Sequence, residues 1–165
     1  MKPVVGIVMG SDSDLAVMKE AGKVLDSFGI GYEITVSSAH RSPDKTREYV
    51  RSAGERGIKI IIAGAGWAAH LAGVIAAETT IPVIGVPIDS SPLLGLDSIL
   101  STLQMPAGIP VATMALGKGG AKNAAILAVQ ILAIGDESLQ DKLKAYKKRL
   151  AYEVEEKDRK LKKHK

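Results

Sequence analysis

Cysteine is absent from the 165 residues, so no disulfide can staple the chain and nothing in it marks an oxidising compartment. Aromatic side chains are scarce, with one Phe, one Trp and four Tyr. Beside seventeen glycines, that scarcity points to an α/β core of small side chains rather than an aromatic-rich sandwich. Histidine occurs only at His40, His70 and His164, with no His-x-x-x-His pair and no carboxylate cluster, which offers a metal little. A G-x-S-x-G elbow is also missing, which argues against a Ser–His–Asp hydrolase. Two uncharged runs, 60–77 and 98–117, are broken by glycines and prolines and do not make the roughly 20-residue apolar stretch of a spanning helix. Lys2 and the short run 3–9 lack a signal-peptide core. The expectation is a soluble, cytoplasmic protein.

What is present suits one domain of ordinary size. Hydrophobic residues make up 46% and the net charge is +4, which excludes a disordered chain. A chain of this length buries roughly 70% of the surface it exposes when unfolded. The charge is uneven: residues 1–140 hold 11 basic and 13 acidic groups, whereas residues 141–165 hold 11 and 5. Such a tail can signal nucleic acid. However, Leu139, Leu143, Tyr146, Leu150 and Val154 recur every three or four residues, the mark of an amphipathic helix. The preferred reading is a solvated helix laying one stripe on this or a neighbouring subunit.

Strand and helix signals alternate along the chain. Apolar runs at 3–9, 32–36, 58–63, 82–88 and 110–113 read as strands. Helical spacing covers 14–28, 43–56, 68–78, 95–104 and 121–134. Five strands separated by helices predict a doubly wound parallel sheet covered on both faces, in one domain over 1–135, followed by the C-terminal helix and basic tail of 136–165. In such sheets ligands sit beyond the carboxyl ends of the strands. Helix 121–134 is apolar around nearly its whole circumference, which predicts cover by another subunit.

The carboxyl-end rule selects the segments that carry chemistry. Gly10, Ser11, Asp12, Ser13 and Asp14 open a helix directly after the first strand, a place that favours anions. Ser11 with Asp14 reads equally as a capping box. Ser38, Ala39, His40 and Arg41 end the second strand and set a proton-transfer residue beside a bidentate anion ligand. As alternatives, His40 caps the next helix and Arg41 pairs with Asp44. Gly64, Ala65, Gly66, Trp67, Ala68 and Ala69 match a relaxed dinucleotide fingerprint, but after the third strand rather than the first. Their glycines would let backbone amides approach a small ligand, with His70 as a second polar group or a structural histidine.

Taken together, GIVMGSDSD (6–14), SAHRSPDK (38–45), IIAGAGWAAHLAG (61–73), PVIGVP (82–87) and DSILSTLQMPAGIPVAT (97–113) resemble the N5-carboxyaminoimidazole ribonucleotide mutase family of purine synthesis. The likeness extends through the Ala-rich helix of 123–133, and QMPAGIPVAT resembles its bacterial mutase branch. It implies a flavodoxin-like, three-layer α/β/α octamer, without metal or organic cofactor, that interconverts N5-carboxyaminoimidazole ribonucleotide and 4-carboxy-5-aminoimidazole ribonucleotide. By motif position it implies His40 as the general acid/base, Ser11 and Asp14 on the phosphoribosyl part, Arg41 on its phosphate, and Ser13 and Ser38 as further contacts. Gly64, Ala65 and Gly66 would wall the carboxylate, with His70 and Leu71 beside them. Trp67 stands where the family usually has glycine, and Ala72 where it usually has proline. The rival readings are a carboxylase using free carbon dioxide, a nucleotide-binding module without chemistry, a nicotinamide oxidoreductase and a nucleic-acid protein.

Overall fold

A computed structural model describes residues 1–163; His164 lies outside the described residues. The chain separates into two compact units, 1–128 and 129–165. Five parallel strands form the sheet of the first unit: β1 (Val5–Met9), β2 (Tyr32–Val36), β3 (Ile60–Gly66), β4 (Val83–Ile88) and β5 (Ala112–Thr113). Their spatial order is β2-β1-β3-β4-β5. The helices of this unit are α1 (Leu15–Phe28), α2 (Pro43–Arg56), α3 (Leu71–Glu78) and α4 (Leu96–Leu103), and it also holds the start of α5 (Gly117–Leu132). The second unit contains the end of α5 and α6 (Glu137–Lys163).

Every residue of β1 and β4 is buried, as central strands covered on both faces require. Register fixes which side chains share a face: Val8 lies opposite Ala63, Ile61 opposite Val83, and Met9 opposite Gly64. Val8, Ile61, Ala63 and Val83 join Val50 and Ala53 of α2 and Leu71, Ala72 and Ile75 of α3 in one buried cluster. On the other face α1 lays down Met18, Ala21, Leu25 and Phe28, the helical spacing read from the sequence. Gly29 closes α1 at φ 74°, a left-handed cap that costs glycine no Cβ clash, and its amide donates to the carbonyls of Leu25 and Asp26. Pro43 starts α2, where its missing N–H is not needed.

Three expectations are refined by the packing. β2 is an edge strand, and Ile34 and Val36 stay exposed, so the sheet is not covered evenly. The alanines of α5, Ala121, Ala124, Ala125 and Ala128, are already buried within the single chain, because small side chains let that helix lie close. Ile126, Leu127, Ile131 and Leu132 of α5 stay half-buried, and exposed leucines cluster on α4 and the loop before it, at Leu93, Leu94, Leu96, Leu100 and Leu103. In the second unit, α6 half-buries Leu139, Leu143 and Tyr146 and exposes Val154. No described helix is long and apolar enough to cross a membrane.

Candidate functional site

Strand order reverses direction between β1 and β3, and that switch point opens a crevice at the carboxyl ends of the strands. A cavity of about 640 Å³ occupies it, a size suited to a nucleotide-scale ligand. Loops after β1, β2, β3 and β4 all reach it. A larger cleft of about 970 Å³ lies at the amino ends of β4 and β5, but its charged groups, Arg51 and Glu78, are paired with each other at 3.1 Å. The switch-point cavity holds the groups able to do chemistry.

From β1 the chain enters a 3-10 turn, Asp12–Asp14, capped by Ser11. Asp14 Oδ2 accepts from the Ser11 amide at 3.1 Å, and Ser11 Oγ accepts from the Ser13 amide at 3.3 Å. This is the capping box read from the sequence, formed in full. Asp14 is buried, and that burial raises its pKa above the ordinary 3.8, opposed by the Ser11 amide and aided by Asp12. Gly10 is tied to the neighbouring strand by its amide, which donates to the Gly64 carbonyl.

From β2 come Ser38, Ala39, His40 and Arg41, whose bend is held by the Arg41 amide donating to Ser38 Oγ at 3.1 Å. Beneath the bend, the buried hydroxyls of Ser37 and Thr46 bond at 2.7 Å. Neither local alternative for this segment forms: α2 receives no side-chain cap, and Asp44 pairs with Arg47 rather than Arg41. Instead His40 Nε2 lies 2.8 Å from His70 Nδ1, with the rings edge to face. One ring nitrogen donates and the other accepts, which leaves His40 Nδ1 and His70 Nε2 outside that bond.

β3 supplies Ala65 and Gly66, then Trp67, Ala68, His70 and Leu71. A Cβ on Gly66 would fall 1.7 Å from Ser90 Oγ, so a side chain there requires Ser90 to rotate away. Trp67 adopts φ 55°, the left-handed region that non-glycine residues avoid at a cost of order 1–3 kcal/mol. The loop is anchored beyond it, where the Ala69 amide donates to Ser101 Oγ at 2.8 Å.

Of the residues selected from sequence, Ser11, Ser13, Asp14, Ser38, His40, Arg41, Ala65, Gly66, His70 and Leu71 line one cavity. Gly64 does not; it is buried within β3 against Met18. Ser90 lines the cavity and was not singled out. Its only sequence signal was its place in the loop after a strand, which a serine shares with many surface turns. Among the described residues no group of three or more His, Cys, Asp or Glu could hold a metal ion.

Residues 4–153 match the model of the AIR carboxylase family. The chain is 59% identical over 160 residues to the N5-carboxyaminoimidazole ribonucleotide mutase of Pyrococcus horikoshii, covering 97% of this chain and 89% of that one. It is 57% identical to the mutase of the same name from Thermotoga maritima, covering 96% and 92% of the two chains. The crystal structure of Treponema denticola PurE superposes with a TM-score of 0.87 at 32% identity, over 96% of this chain and 98% of that one.

Proposed function

The chain belongs to the AIR carboxylase family, and from that membership we propose that it is a mutase interconverting N5-carboxyaminoimidazole ribonucleotide and 4-carboxy-5-aminoimidazole ribonucleotide. The observation that carries this reading is the His40–His70 pair, 2.8 Å apart, on the cavity that also holds Arg41 and the 10–14 turn. A module that only bound nucleotide would have no need of two coupled imidazoles there.

The chemistry balances with one acid/base residue. The N–C bond of the carbamate breaks, carbon dioxide departs, and the exocyclic nitrogen takes a proton. Carbon 4 of the electron-rich imidazole then attacks the trapped carbon dioxide and forms the C–C bond. The tetrahedral carbon loses its proton and the ring regains aromaticity. One proton enters and one leaves, so His40 can give the first and accept the second. His70 holds the His40 ring in place. Arg41 takes the phosphate as a charge-assisted fork. Ser11, Ser13, Asp14 and Ser38 contact the ribose side, and Ala65 and Gly66 bring backbone close to the carboxylate. Enclosure matters because carbon dioxide must be recaptured before it diffuses away.

The same reading includes a homo-oligomer, an octamer by family resemblance. The exposed leucines of α4 and its preceding loop support it, being 46–81% accessible at Leu93, Leu94, Leu96, Leu100 and Leu103. Light scattering at micromolar concentration tests it; the 17.3 kDa mass of a monomer is the contrary result.

The activity test follows loss of N5-carboxyaminoimidazole ribonucleotide and appearance of the 4-carboxy product without added bicarbonate. Conversion by wild type is expected. Conversion only from aminoimidazole ribonucleotide with high bicarbonate would instead make the protein a carboxylase using free carbon dioxide.

A further inference from the structure

Trp67 is the one indole of the chain, and it stands where tryptophan is least comfortable. Its backbone sits at φ 55°, and its side chain is 59% exposed. A strained backbone persists only where the surrounding structure over-determines it, and such residues cluster at active sites and ligand clamps. Here the neighbouring backbone is pinned, but the indole itself is mostly in water and lacks a full packing partner within the chain. It lines the switch-point cavity together with His40, Arg41 and Ser90. No Phe or Tyr does. The flanking geometry fixes the ring's origin: Gly66 before it leaves the space that Ser90 fills, and Ala69 after it is bonded to Ser101. The loop thus presents a broad aromatic face at the cavity with little freedom to withdraw its base.

We propose that Trp67 lies across the bound ribonucleotide, stacking its indole on the imidazole ring and closing the cavity over the carbon dioxide released within it. This rests on the mutase reading above. An electron-rich planar heterocycle is a natural partner for the face of an indole, and stacking of one base on an aromatic side chain is a recognised source of affinity. The exposed indole surface loses water when the ring arrives, which gives the otherwise unpaired side chain its packing partner. Trp67 is therefore a specificity-determining residue: it favours a flat ring and retains the one-carbon fragment, while His40 moves the protons.

The test uses the full chain and two readouts. Binding of the 4-carboxy product is followed by fluorescence of the lone tryptophan and, in parallel, by calorimetry. Turnover is followed with substrate labelled with carbon-13 at the carboxylate, in unlabelled bicarbonate, for wild type, Trp67→Gly and Trp67→Phe. Glycine accepts the left-handed backbone, so that variant should fold. The expected results are a shifted, altered emission on binding, and product from wild type that keeps its label. Trp67→Gly should raise KM by roughly tenfold, the fold-change of one lost stack, and should lose label to bicarbonate and release free aminoimidazole ribonucleotide. Trp67→Phe should recover most of both. Calorimetric binding with unchanged emission overturns the proposal, as does full label retention with wild-type KM in Trp67→Gly; in either case the mutase reading stands. Absence of any conversion by wild type overturns both.

Discussion

The loops that follow β1 and β3 leave neighbouring strands at the same end of the sheet, yet they use their polar groups in opposite ways. In the 10–14 turn the amides of Ser11 and Ser13 are taken by Asp14 and Ser11, and the Gly10 amide by Gly64. Those backbone amides are satisfied within the chain. The loop of 64–70 is pinned through the Ala69 amide, carries a left-handed tryptophan and leaves its indole in water. The first loop spends its amides on itself, whereas the second holds an exposed aromatic face at the cavity. On the proposed reaction, admitting a nucleotide and then holding carbon dioxide would draw on both, because preorganised groups orient while an aromatic face encloses.

His40 reaches the same cavity from the loop after β2, and its removal is the largest expected effect. His40→Asn should lower turnover by about 10²–10⁴-fold while calorimetric affinity for the nucleotide changes little. Near-normal turnover would remove His40 from the mechanism. Next, Gly66→Ala tests how tightly the β3 loop is built. Its Cβ would meet Ser90 Oγ at 1.7 Å and the Ile88 carbonyl at 3.1 Å, so Ser90 must swing away. A loss on the order of 10- to 100-fold in kcat/KM is expected from that displacement. Unchanged kinetics would show that the position of Ser90 is immaterial.

Smaller effects separate the two loops by stability. Ser101→Ala leaves the Ala69 amide without its partner and should cost about 1 kcal/mol, with faster hydrogen exchange confined to residues 68–70. Exchange that spreads through the 10–14 turn as well would mean the loops are not independent. The smallest change concerns Asp14. Because burial raises its folded-state pKa, its protonated form is favoured in the fold; that stability is full below the ordinary 3.8 and is lost as pH rises through the elevated value. Asp14→Asn titrates nothing there. The melting-temperature difference should therefore shift in favour of the variant from acid to neutral pH. A pH-independent difference would contradict the burial argument.

Much of this was legible in the sequence. The helical spacing of Met18, Ala21, Leu25 and Phe28 located the buried side of α1, and the bounds read for β2 and α2 agree with the structure. Short-range chemistry was equally readable, since Ser11 and Asp14 are three residues apart and needed only each other to form a cap. The third loop was harder. Gly66 matched a dinucleotide fingerprint whose usual place is after a first strand, and only the fold shows that Ser90 occupies the space a side chain there would take. The apolar circumference of α5 suggested a subunit contact, whereas its alanines are spent on the chain's own packing and the exposed leucines lie on α4. Periodicity reports that a face is apolar but not what covers it.

The succession of strands and helices, the cap of the first turn and the three loops able to carry chemistry were settled by residues within a few positions of one another, because hydrogen bonds of turns and the period of a helix are local. The order β2-β1-β3-β4-β5, the meeting of His40 with His70 across thirty residues and the space beside Gly66 that Ser90 fills belong to the tertiary structure alone. They depend on which strands pair and in what register, and that is decided by burying both faces of β1, β3 and β4 together, a collective packing free energy that no short stretch of chain contains.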